Sequence, residues 1–169
     1  MKTQIFVGLV GLLAVPALAQ GKAAVPAPSG GAPAVVKLEC SAGTKQIGGP
    51  KSAIEASACV KFGRDGTRIY HGPYVAYWPN GVKQAEGQYL ESFRDGKWTF
   101  FDDKGVKTGE TSFKAGNYDG VRVEFWPNGQ KKLEESYVMG KRQGLQQTFD
   151  QTGKALSVIE FVDDRPVQK

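Results

Sequence analysis

The chain has 169 residues, a formal net charge of +5, 22 glycines, nine prolines, two cysteines and a single histidine. Glycine and proline recur too often for a 3.6-residue apolar stripe to survive, which argues against a helical protein. The positive charge does not form a nucleic-acid footprint, because residues 72–166 hold 13 Lys and Arg against 14 Asp and Glu, while residues 20–71 hold 7 against 3.

In chain order, residues 1–19 read as a secretory signal: Lys2, an apolar run from Ile5 to Val15, and Ala17-Leu18-Ala19 as a small-residue cleavage site. A membrane helix is the competing reading, but the stretch is short of the roughly 20 apolar residues a span needs. Gln20 follows the cut, so no cysteine stands there to carry a lipid, and a soluble periplasmic or extracellular protein is expected. Residues 20–36, with Pro26, Pro28 and Pro33 among alanines and glycines, lack the apolar surface to fold and read as a flexible linker.

Residues 37–71 read as an irregular cap ending in a short hairpin around Gly63-Arg64-Asp65-Gly66. Cys40 and Cys59 are the only cysteines. In an exported chain they are expected to form a disulfide worth on the order of 3 kcal/mol. The alternative, a metal or redox site, lacks a CxxC spacing and a nearby histidine.

From residue 72 to 166 a pattern returns every 24 residues, followed by a tail at 167–169. Gly72, Gly96, Gly120 and Gly144 open the four copies, and Gly81, Gly105, Gly129 and Gly153 come nine residues later. Aromatics stand five residues into each copy (Tyr77, Phe101, Phe125, Phe149) and seventeen residues in (Tyr89, Phe113, Tyr137, Phe161). A fixed period of this length marks a repeat architecture. Each second glycine closes a turn, as in Trp78-Pro79-Asn80-Gly81 and Asp102-Asp103-Lys104-Gly105, where glycine takes the left-handed position of a type I turn with a G1 bulge. Each copy is therefore expected to be a β-hairpin, with one face stacking both sets of aromatics and the other carrying Glu86, Glu110 and Glu134. On this register Gly129 should tolerate valine less well than Gly140, which lies in the less regular link. Two rings per hairpin supply about 3 to 6 kcal/mol against about 1 to 2 kcal/mol per ordered residue, so the copies must stack. The expected fold is all-β: an elongated antiparallel sheet of consecutive hairpins, roughly 40 Å long, behind the bridged cap.

The run from Gly120 to Gly144, with Gly-x-x-x-x-aromatic, Pro-Asn-Gly-x-Lys, Glu, and a Gly-Lys-x-x-Gly link, resembles the variant MORN repeat of bacterial proteins. The resemblance implies an elongated hairpin sheet used as a scaffold or binding platform, and some members of the family carry an antitoxin-like label.

No catalytic, cofactor or metal constellation is expected. His71 stands alone beside Gly72-Pro73 and reads as a turn at the array's entrance. Glu134 and Glu135 point to opposite faces of one strand and cannot share acid and base roles. Lys83, Lys107 and Lys131 recur with the glutamates and read as an opposing face of a mixed, solvated surface. Trp78 and Trp126, at the same turn of alternate copies, either cover the hairpin ends or offer two indoles to a protein or glycan. Val158 replaces the recurrent glutamate and is followed by Ile159, which makes the last strand apolar on both faces and a candidate edge for a partner or a second copy. The expected function is a non-enzymatic interaction module for a protein partner. Anionic lipid or an envelope polymer is the alternative ligand, an antitoxin-like role a third reading, and nucleic acid is not expected.

Overall fold

The computed structural model describes residues 35–168. The expected export signal and all but the last two residues of the linker lie outside the described residues, as does Lys169 at the end of the tail. The described chain is built from strands alone: β1 (Lys45–Gly48), β2 (Ala56–Phe62), β3 (Arg68–Tyr77), β4 (Lys83–Leu90), β5 (Phe93–Phe101), β6 (Lys107–Lys114), β7 (Asn117–Phe125), β8 (Lys131–Val138), β9 (Lys141–Arg142), β10 (Gly144–Phe149), β11 (Ala155–Val162) and β12 (Arg165–Pro166). They pair antiparallel with their sequence neighbours in one open sheet, and the short β9 pairs with β8 beside β10. The expected all-β hairpin array is thus the observed fold.

The four expected turns form as read. The Trp78 N–H donates to the Val82 carbonyl at 2.8 Å and Gly81 N–H to the Trp78 carbonyl at 2.7 Å, and the pattern recurs at Asp102, Trp126 and Asp150. Gly81, Gly105, Gly129 and Gly153 have φ between +82° and +90°. The links on the other side of the sheet are as regular, contrary to expectation. Glu91-Ser92, Ala115-Gly116, Met139-Gly140 and Asp163-Asp164 all place two successive residues at positive φ, the signature of a two-residue type I′ hairpin turn. Gly140, at φ +83°, is as constrained as Gly129, so the expected difference between them falls away.

A bulge beside each four-residue turn corrects the faces. Ala76 pairs with Ala85 but Tyr77 with Lys83, and the same shift recurs at Phe101 and Phe125. The extra residue reverses the side-chain alternation. Tyr77, Phe101 and Phe125 consequently share a face with the recurrent glutamates, opposite Tyr89, Phe113 and Tyr137. Lys83, Lys107 and Lys131 lie on that same face and pair with Glu86 (2.6 Å), Glu110 (2.5 Å) and Glu134. The lysines and glutamates expected on opposite sides are neighbours, and Lys107 also sits 4.6 Å from the Phe125 ring centroid.

Cys40 and Cys59 are bridged, with Cα atoms 5.5 Å apart. The cap is less irregular than expected, since β1 pairs with β2. Cys59 lies under Gly72, where an added Cβ would come within 3.2 Å of the Cys59 Cβ. His71 is not in a turn: it lies within β3, its Nδ1 2.9 Å from Glu91 Oε1.

Candidate binding face

The face opposite the lysine–glutamate pairs carries a file of rings that crosses the sheet from strand to strand. Successive centroids are 5.4 Å apart for Tyr70–Tyr89, 5.1 Å for Tyr89–Trp98, 6.2 Å for Trp98–Phe113, 5.1 Å for Phe113–Tyr118 and 5.0 Å for Tyr118–Tyr137. Trp98 is fully buried because it lies flat on the backbone at Gly87, where a Cβ would be 2.4 Å from the indole. Arg94 covers that indole from the solvent side, its Cζ 4.6 Å from the ring centroid, and Arg142 lies 4.1 Å from the Phe161 centroid. Such cation–π contacts fix the guanidinium planes on the surface while burying little charge.

In the third copy an ion cluster stands beside the file. Arg122 on β7 bonds Glu124 on its own strand and Glu135 on β8. Glu135 is 3% exposed, and its carboxylate also accepts from Gln146 Nε2 at 2.7 Å and Tyr137 Oη at 2.9 Å. Burial pushes the Glu135 carboxyl up, but the bonds from Gln146, Arg122 and Tyr137 outweigh it and hold the group below the usual glutamate range. Burial and the Glu135 carboxylate together push the Tyr137 hydroxyl up to about 12. The donors and acceptors of this cluster largely satisfy one another, which makes it a rigid element of the face.

The residues singled out from sequence are distributed differently. Trp78 and Trp126 are half-buried, and each Nε1–H donates to a main-chain carbonyl of the next copy, Phe101 at 3.1 Å and Phe149 at 3.0 Å. Asn80 and Asn128 do the same toward Asp103 and Gln151, both at 2.7 Å. Asp102 and Asp150, in the alternate copies, instead cap their own turns. Val158 and Ile159 are 55% and 40% exposed on opposite faces of β11. Sequence reasoning missed Tyr74, Trp98, Arg94 and Arg122. Their signal was periodic: Tyr74, Trp98 and Arg122 stand 24 residues apart, and Arg94 belongs to the alternating series Tyr70, Arg94, Tyr118 and Arg142, which matches the alternation of Trp78, Asp102, Trp126 and Asp150. The unit of the array is a 48-residue doublet whose first hairpin is bonded to its second by indole and amide.

The fold and this face define a class: an open-sheet repeat protein whose hairpins add side by side and whose broad faces carry rings and fixed ions. Residues 70–91 and 118–139 match the MORN repeat variant family. The two matches lie 48 residues apart, on the tryptophan-bearing hairpin of each doublet. No curated protein matches the chain.

Proposed function

We propose that this chain is a non-enzymatic, exported binding module that holds a protein partner on its ring-bearing face. MORN repeats commonly serve as protein- or lipid-binding modules. The observation that carries the reading is the unbroken file from Tyr70 to Tyr137, interleaved with Arg94 and Arg142 and left without a second layer of strands among the described residues. Aromatic and arginine side chains are the types enriched where proteins bind proteins. The near balance of charge over residues 72–166 favours a polypeptide over anionic lipid or a charged envelope polymer. An antitoxin-like role fits the same surface if the neutralised protein is itself exported.

The test uses the chain from Gln20 onward with two substitutions at half-exposed positions on opposite faces, Tyr118→Ser on the ring face and Val121→Ser behind it. Loss of a captured envelope protein with the first variant alone is the expected result. Equal capture by both variants sinks the reading, and flotation of the parent chain with phosphatidylglycerol vesicles replaces it with lipid binding.

A further inference from the structure

The lysine–glutamate face changes character along the array. Over the last two hairpins it carries Val121, Val138, Leu145, Val158, Val162 and Val167, each between 43% and 56% exposed. Strand pairing sets them side by side: Val121 lies across from Ser136, Val138 from Lys141, Leu145 from Glu160, Val158 from Gln147 and Val162 from Arg165. Val167 follows on the same face, its N–H donating to the Glu160 carbonyl at 2.8 Å. In the second copy the places of Val121 and Val138 are held by Lys97 and Lys114. Those lysines separate the patch from Pro73 and Leu90 in the first copy, and Lys97 is bonded to Glu110 at 2.7 Å.

A sheet keeps such side chains from water by laying them on a second layer, and the described residues form a single layer. Charge selects what supplies the other. Glu160, Lys141 and Arg165 are exposed on this face and make no ion pair among the described residues. A patch that holds both a carboxylate and cations without partners complements itself across a twofold axis, where each carboxylate meets the other copy's cations. Lys141, Asp163 and Arg165 with Val162 and Val167 line a hollow of about 390 Å³ at the corner of the face, which gives an opposing Glu160 a net-positive place to enter. An anionic bilayer would meet Glu160 in the middle of the patch and be repelled by it. Area sets the strength of the contact. Strands β7, β8, β10, β11 and β12 stand in order there, and at about 4.8 Å per strand and about 20 Å along each they give a face of roughly 24 Å by 20 Å. Two copies then bury on the order of 1,000 Å² together, the lower limit for a specific interface.

We propose that two chains pack these faces on one another, as layers about 10 Å apart, in a weak isologous dimer that turns both ring-bearing faces outward. The inference does not depend on what the ring-bearing face holds.

Sedimentation velocity of the chain from Gln20 onward tests it. Between about 5 μM and about 500 μM the parent should pass from monomer to dimer, with half-association on the order of 100 μM. Leu145→Lys and Val162→Lys introduce the residue type that Lys97 and Lys114 already place at the same positions of the repeat. Each should weaken association by roughly tenfold or more, because a lysine then enters the apolar contact, and the second keeps the test valid if the first melts early. Ile159→Lys, on the ring-bearing side of β11, should associate as the parent does. A parent that stays monomeric over that range, or a dimer that persists in a folded lysine variant of the patch, overturns the proposal. Equal loss in Ile159→Lys moves the association to the β11 edge or the ring-bearing face and overturns it too, as does flotation of the parent with phosphatidylcholine vesicles that Leu145→Lys abolishes.

Discussion

Glu135 shows how one side chain links the face to the stability of the sheet. Its carboxyl titrates below the usual range in the folded chain. The stabilisation it supplies is therefore present above the unfolded-state value and lost as pH falls through the lower folded one. Urea unfolding of Glu135→Gln at pH 7 should show a loss of about 2 kcal/mol, and that difference should shrink as pH falls below about 4. A variant as stable as the parent at pH 7 would show that Arg122 finds other partners. The bridge of Cys40 and Cys59 is the second residue-scale test: reduction should cost on the order of 3 kcal/mol, read as a lower Tm in reductant. That pairing was legible because the two cysteines had no rivals. The opposite facing of Glu134 and Glu135 was legible from strand alternation, but the Arg122 partnership was not. It depends on which residue of β7 lies across from Glu135, and the bulge between Glu124 and Phe125 shifts that register in a way residue types do not announce.

At the scale of the hairpin, the tight turns were readable because Pro-Asn-Gly and Asp-x-x-Gly carry their own chemistry. The two-residue links were not, because only Gly116 and Gly140 occupy the second position with the preferred residue, while Ser92 and Asp164 adopt positive φ without it. Those two are held by side-chain bonds to the strand they face, from the Tyr70 N–H to Ser92 Oγ at 3.1 Å and from the Arg142 N–H to Asp164 Oδ1 at 3.0 Å. Met139, at φ +48° and 81% exposed, occupies the position where a type I′ turn favours asparagine. Met139→Asn should stabilise the chain by about 0.5 kcal/mol, a rise of roughly 2 °C in Tm. Gly129→Val and Gly140→Val should both destabilise it, by more than about 1 kcal/mol each, as measured in paired thermal melts. A neutral Gly140→Val would contradict the observed link. The assignment of rings to faces failed for a related reason: the recurring bulge is one residue long, enough to turn every lysine and offset-five ring to the other side.

Across the whole molecule burial is uneven. Nearly all the most deeply buried apolar side chains lie between Ala56 and Phe113, and Phe161 is the exception. Amides of β10 and β11 should therefore exchange with deuterium ahead of those in β2 to β6, and uniform protection across the sheet would contradict this. Beyond its short pairing with β12, β11 leaves Ala155 to Ile159 without a strand on its outer side among the described residues. Val158→Glu restores the residue type of the other copies and should leave Tm unchanged while removing any concentration-dependent association seen by sedimentation. The bonding between copies also gives the array a grammar. Trp78 and Trp126 each reach forward to the next hairpin, whereas Asp102 and Asp150 close on themselves. A chain cut after residue 143 would leave an indole N–H and an asparagine amide reaching for a hairpin that is no longer there, whereas one cut after residue 119 would not. Engineered arrays of this kind should accordingly lengthen and shorten in even numbers of hairpins, with residue 119 to 120 as the seam at which to splice.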